Sequence, residues 1–136
     1  MASPATVTAL RASRLPGVPA DLIDLVHLRV SQLNDHSERS DRYARDLARQ
    51  GMAADKLAHV PTWRDTPTLF DERERTALAW AETVARIAES GVPDGAYEAA
   101  AAMFGDKALV DLTITIALMS AYARLGIAFH SLSHAA

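Results

Sequence analysis

Residues 32–43 read Gln32-Leu33-Asn34-Asp35-His36-Ser37-Glu38-Arg39-Ser40-Asp41-Arg42-Tyr43, and the reading of the fold turns on them. Before this stretch the chain is apolar with helical spacing; after it the chain is polar with helical spacing. A break at Asn34-Asp35 therefore separates two helices. Asp35 with Glu38 three residues on is a capping-box pattern, in which each side chain accepts from the other residue's backbone N–H. That pattern predicts that the second helix opens at Asp35. His36, Arg39 and Tyr43 then share one helix face, because offsets of three and seven residues return to the same side. At a first helical turn the positive end of the macrodipole disfavours protonation. A neutral imidazole at His36 is a usable general base near neutral pH.

Outward from this stretch every long segment carries helical periodicity, and no alternating strand pattern is found. The first helix is read over about Ala20 to Leu33, with Leu22, Ile23, Leu25, Val26, Val30 and Leu33 as a broad apolar face. The second ends at Gly51, which can take the left-handed conformation past a helix end. A short helix near Ala53–Ala58 follows, and the two prolines of Pro61-Thr62-Trp63-Arg64-Asp65-Thr66-Pro67 predict a loop. Asp71 with Glu74 repeats the capping-box pattern and starts a helix through Ser90, stopped by Gly91. Pro93 and Asp94 open the next helix, and Gly105 closes it. Asp106 caps a long last helix through about Ser131. Its Leu109, Leu112, Ile116, Met119, Ala123 and Ile127 recur at three and four residues, and its middle is nearly apolar all round. Such a helix is buried against several others or against another subunit. The sum is an all-α bundle of about six helices. The domain reading is an N-terminal arm over residues 1–19, rich in proline, and a single helical domain over 20–136.

With 136 residues the chain has room for one domain and a real core. A net charge of −3, with arginines spread along helices opposite acids, leaves no basic footprint for nucleic acid. The first 20 residues lack the continuous apolar stretch of a signal peptide. The longest uncharged apolar run, between Asp111 and Arg124, is too short to span a bilayer. No membrane partner and a cytoplasmic location are therefore expected. The chain contains no cysteine, so disulfides, thiolate metal sites and thiol redox cycling are not available to it.

The opening stretch resembles the active-site segment of the alkylhydroperoxidase D (AhpD)/carboxymuconolactone decarboxylase-like family. The peroxidase branch of that family reads roughly Gln-x-Asn-x-Cys-x-x-Cys-x-x-x-His. Gln32 and Asn34 match it, whereas His36 and Arg39 stand at the cysteine positions and Tyr43 at the histidine position. Further blocks carry the likeness across roughly residues 20–130: Trp63-Arg64-Asp65-Thr66-Pro67, Phe70 through Glu82, Gly91-Val92-Pro93-Asp94, Leu109 through Thr113, and Tyr122-Ala123-Arg124-Leu125. The resemblance implies an AhpD-like helical bundle that assembles as a homo-oligomer, whether dimer, trimer or hexamer. It also implies a proton-relay carboxylate twelve residues before the first cysteine position, a place held here by Asp24. A histidine and an arginine cannot form a disulfide, so the dithiol peroxidase activity suggested by the family label is not expected. The decarboxylase branch likewise lacks the cysteine pair and relies on a histidine in its second helix. Ser120 and Ala123 stand where relatives often carry asparagines, a further departure.

These residues suggest one site. If the second helix packs as in relatives, its His36–Arg39–Tyr43 face meets Asp24, His27 and Ser31 of the first helix. His36, Asp24 and Tyr43 are then the candidate catalytic groups, with Arg39, His27 and Trp63 as candidate substrate-binding residues. Such a set suits thiol-independent acid/base chemistry on a small carboxylated molecule, decarboxylase-like if active: Arg39 holds the anion, His36 moves a proton and Asp24 orients His36. Two other readings stand beside it. In one, His36 and Arg39 face solvent, Asp24 bonds Arg39, and the protein is a non-catalytic ligand-binding or scaffold oligomer. In the other, it is a peroxidase by family label alone. His27 is also read as an interface histidine, and Trp63 and Trp80 as core anchors of which Trp63 could wall a pocket. The set His27, His36 and Asp24 matches no metal signature, so neither metal nor cofactor is expected.

Overall fold

The computed structural model describes residues 18–129. Within them the chain forms seven α-helical segments and two short 3-10 turns, with no strand. Helix α1 spans Ala20–Leu33 and α2 spans Ser37–Arg49. A single turn, α3, covers Ala54–Ala58, and 3-10 turns follow at Val60–Asp65 and Pro67–Leu69. Helix α4 spans Glu72–Ala85, α5 Ile87–Ser90, α6 Ala96–Phe104 and α7 Asp106–Ala128. Helix α1 is the centre of the bundle, packed against α2, α4 and α7, while α4 also packs against α6 and α7.

The burial of α1 follows from its composition. Leu22, Ile23, Leu25, Val26, Leu28 and Val30 are all buried, and His27, Arg29 and Ser31 are buried with them, so neighbours surround most of its circumference. Leu33, expected on the same apolar face, is only half-buried at the helix end. Helix α2 contributes a single stripe instead: Arg39, Tyr43 and Leu47, four residues apart, are its buried positions. One face therefore anchors α2, and the remainder meets solvent.

The α1–α2 connection differs from its sequence reading. Asp35 does not cap α2. It sits in the left-handed region with φ 53° and ends α1. Its N–H donates to the Gln32 carbonyl at 3.2 Å, and the His36 N–H donates to the Ser31 carbonyl at 2.9 Å. These are the two bonds of a Schellman termination. An aspartate tolerates that backbone better than most side chains, and two antiparallel helices joined this tightly require it. The N-cap position of α2 falls to His36, whose side chain makes no capping bond. The same termination recurs where expected at the end of α2: Gly51 has φ 100°, and the Met52 N–H donates to the Leu47 carbonyl at 3.0 Å.

The second capping box is present as read. Asp71 accepts from the Glu74 N–H at 2.7 Å, and Glu74 accepts from the Asp71 N–H at 2.9 Å. The helix it opens does not run unbroken to Ser90. Arg86, at φ −110° and ψ 19°, separates α4 from α5, which makes seven segments where six were expected. Pro93 and Asp94 form the turn before α6, whose first helical residue is Ala96 after Gly95. Asp106 is the first residue of α7 and Gly105 its cap position. The Pro61–Pro67 segment is wound into 3-10 turns around a buried Trp63. Residues 1–17, most of the expected arm, and Ser131, His130 and His134 lie outside the described residues.

Helix α7 buries Leu109, Leu112, Ile116, Met119 and Ala123 as the spacing predicts. With 23 residues and a mean hydropathy of 1.4 over its most apolar window, it is long and apolar enough to cross a membrane by length and composition alone. The sequence reading set that length aside because Asp111 and Arg124 bound the uncharged run; the helix itself continues through both. Of that window, 44% is buried inside the bundle, as suits a helix packed on several sides. On its other side Val110, Ile114, Leu118 and Leu125 are exposed.

Candidate functional site

The hairpin of α1 and α2 sets the address of every predicted site residue. The helices run antiparallel, so residues near the turn meet each other and residues far from it meet at the opposite end. Ser31 and His36 meet at the turn through their backbone bond. One level further, the His27 and Tyr43 rings face each other at 5.3 Å, tilted by 57°. At the far end the Gln50 side chain donates to Asp24 Oδ2 at 2.9 Å. Asp24 precedes the end of α1, Leu33, by nine residues, about 14 Å along the axis at 1.5 Å per residue. The structure thus brings His36 and Arg39 together and places Asp24 elsewhere, beside Gln50.

His36 is half-buried between the turn and α7. Its Nδ1 is sealed from solvent and has no hydrogen-bond partner among the described residues. Its Nε2 faces Gly126, where an added Cβ would stand only 3.3 Å away. Burial, and after it the guanidinium of Arg39, hold the imidazole below its ordinary value near 6.5, while Glu38 pulls it upward. His36 is therefore neutral at pH 7, the form a base requires.

Arg39 is buried to 7% exposure, and its guanidinium lies over the Tyr122 ring with Cζ 3.7 Å from the centroid. Aromatic stacking compensates a cation only in part. Among the described residues no carboxylate and no hydrogen-bond acceptor pairs with it. Its nitrogens are nonetheless not sealed from solvent. The expected alternative bond between Asp24 and Arg39 does not form. Close by, Asn34 Nδ2 donates to the Val30 carbonyl at 2.9 Å and to Ser120 Oγ at 3.3 Å, tying the turn to α7. Ser31 Oγ is buried without a hydrogen-bond partner among the described residues.

Tyr43 and His27 form the floor beneath this region. Both are fully buried, and the Tyr43 hydroxyl donates to Met119 Sδ at 3.6 Å. Trp63 belongs to another place. Its Nε1 donates to Glu82 Oε2 at 3.1 Å, and the same carboxylate takes Arg29 Nε at 2.8 Å and Arg64 Nη2 at 3.0 Å. Burial raises the Glu82 carboxyl, but the bonds from Trp63, Arg29 and Arg64 outweigh it and hold the group below its ordinary value near 4.5. Trp63 and Trp80 also wall a separate open cleft of about 310 Å³ between α4 and α6, with Arg75 at its rim. The trio His27, His36 and Asp24 does not converge, and among the described residues no three His, Asp or Glu side chains cluster for a metal.

Two residues that complete the region were not read as site residues from the sequence: Tyr122 under Arg39, noted there only within a block of family likeness, and Gly126 against His36. Gly126 carried a usable signal, a glycine inside an otherwise apolar helix. The model of the carboxymuconolactone decarboxylase family matches residues 2–83, which hold α1, α2 and the whole His36–Arg39 turn. The chain belongs to this family. A solved structure from Agrobacterium tumefaciens, of a protein of unknown function considered a candidate AhpD antioxidant-defence protein, superposes with a TM-score of 0.81. It is 28% identical and covers 93% of this chain and 84% of its own. The uncharacterized protein YdfG of Bacillus subtilis is 25% identical over 77% of this chain and 71% of its own length. The uncharacterized protein YnjA of Escherichia coli is 35% identical over 74% of this chain, which spans about half, 54%, of that relative. Within the carboxymuconolactone decarboxylase family this chain is a cysteine-less, all-α, AhpD-like member.

Proposed function

We propose that the turn joining α1 to α2 is a binding site for a small carboxylate, at which His36 acts as a thiol-independent general base. The observation that carries this reading is Arg39: a residue at 7% exposure whose guanidinium has an aromatic ring beneath it, reaches solvent, and has no carboxylate partner among the described residues. Burying a cation without a counter-charge is unfavourable, and an incoming carboxylate supplies that charge with charge-assisted hydrogen bonds. His36, three residues away and neutral, stands ready to take a proton. Asp24 does not orient it; the backbone does, since His36 is held at once by the Schellman bond of α1 and by its place at the head of α2. Tyr43 and His27 support the site from below.

A second reading, a ligand-binding or scaffold protein without catalysis, draws support from the separation of Asp24 from His36. In both readings the exposed stripe Val110, Ile114, Leu118 and Leu125 is the face through which copies of the chain associate. The two readings share the anion and differ in the proton. An NMR titration with acetate and then with succinate tests the shared part: the shifts should saturate in the wild type and weaken at least about tenfold in Arg39→Ala, since a hydrogen bond to a charged group is worth about 1.5–3 kcal/mol. Equal binding by both proteins would remove the site. Both tryptophans line the other cleft, so binding at Arg39 leaves tryptophan fluorescence unchanged, whereas quenching would assign the carboxylate to that cleft.

A further inference from the structure

Helices α2 and α7 meet at the candidate site through two rungs. In one the Arg39 guanidinium covers the Tyr122 ring; in the other His36 Nε2 lies against Gly126. Tyr122 and Gly126 are four residues apart and share a face of α7, as His36 and Arg39 do at the start of α2. The His36 imidazole has one usable nitrogen. Nδ1 is sealed from solvent, whereas Nε2 is not, and it lies against residue 126, where there is no side chain. A Cβ there would stand 3.3 Å from Nε2, so that the ring would have to give by a few tenths of an ångström, and at an ordinary 3.9 Å from Cδ2. Glycine inside a helix is also unfavourable for the helix itself, because it gives up backbone entropy and packs no side chain. A local rule broken in the last turn of α7, at a point facing the candidate base, suits a functional compromise.

We infer that Gly126 sets the opening through which small molecules reach His36 Nε2, and so acts as a specificity-determining residue of this site. The inference rests on the reading of His36 as the working base, but its test uses no carboxylate. Diethyl pyrocarbonate acylates neutral imidazole nitrogens and is small enough to report access. Of the chain's five histidines, His59 has a side chain exposed to 38% and serves as the open reference. His27, at 0% exposure, reports loss of the fold. With each acylated histidine mapped by mass spectrometry, wild-type His36 should be modified while His27 stays silent. In Gly126→Ala the His36 rate, relative to His59, should fall by about an order of magnitude, as displacements of this size do at reacting atoms. An unchanged relative rate, or an inert His36 in the wild type, overturns the inference.

Should Gly126→Ala render His27 reactive, the wild-type chain itself decides. A bulkier dialkyl pyrocarbonate must then lose His36 far more than His59, and parallel loss at both overturns the proposal. If access narrows in the variant while acetate and succinate fail to bind the wild type, the reading of Arg39 falls and that of Gly126 stands.

Discussion

At the scale of single residues, His36 and Arg39 influence each other through charge, and that coupling is measurable. Burial and the Arg39 cation depress the imidazole, so Arg39→Gln should raise the NMR titration midpoint of His36 while leaving it below 6.5, because burial, the larger cause, remains. A downward or absent shift would mean that the two groups do not face one another in solution. A carboxylate seated on Arg39 offsets the same cation, raises the imidazole midpoint and takes up a proton. Affinity should therefore tighten as pH falls from the bound midpoint of His36 toward its lower free midpoint, while any turnover that uses neutral His36 should rise with pH through the bound midpoint. The unfolded chain binds more protons at this histidine than the folded one between the lowered midpoint and 6.5, so stability contributed here is lost as pH falls through that window. Where the peroxidase pattern has thiols this chain has His36 and Arg39, and it contains no cysteine. An organic hydroperoxide offered with a dithiol should accordingly show no saturable turnover above a heat-denatured control.

Secondary-structure elements are joined most tightly at Glu82. This one carboxylate of α4 accepts from Arg29 of α1 and from Trp63 and Arg64 of the 3-10 turn. Glu82 and Arg29 side chains are each only 11% exposed, so Glu82→Ala leaves a buried guanidinium and a buried indole N–H without their acceptor. Breaking such a pair by removing one partner destabilises by about 3 kcal/mol or more, readable as a lower urea midpoint with an unchanged slope. Arg64, 62% exposed on the same carboxylate, should matter far less, and Arg64→Ala serves as the control. The Glu82 contribution requires the ionised form, is present above its unfolded value near 4.5, and is lost as pH falls below it. Matching losses in the two variants would show that the network is not organised around the buried pair.

For the molecule as a whole the exposed face of α7 is the feature that asks for an explanation. Val110, Ile114, Leu118 and Leu125 are each about half exposed and lie at spacings of four and seven residues along one side of the helix. A contiguous apolar stripe of this kind is what a partner copy covers. Light scattering on a sizing column should give a mass at least twice the 14.7 kDa of one chain, and Leu118→Glu should shift it toward that of the single chain. A wild-type mass near that of one chain at micromolar concentration would count against association. Because Tyr122 and Gly126 belong to the same helix, the dissociated variant also shows whether His36 and Arg39 keep their environment without a neighbour.

The sequence by itself determined the class of fold, because periodicity, capping and helix stops are local. Leu22 through Val30, the Asp71–Glu74 box and Gly51 each carry their instruction within a few residues, and the structure follows them. It also placed Arg39 and Tyr43 on one face, since that is arithmetic on the helical turn, and the structure adds Leu47 to that buried stripe. Only the tertiary structure decided that Asp35 ends the first helix instead of opening the second. Both uses are open to an aspartate, and the antiparallel packing of the two helices selects the left-handed one. Tertiary structure likewise decided that Asp24 lies with Gln50, some three turns from His36, and that Trp63 belongs to the Glu82 network. Tyr122 and Gly126 came to the site from more than eighty residues away along the chain. No spacing rule reaches that far: which side chains share a helix face is set by local geometry, whereas which faces meet is set by burial across the whole bundle.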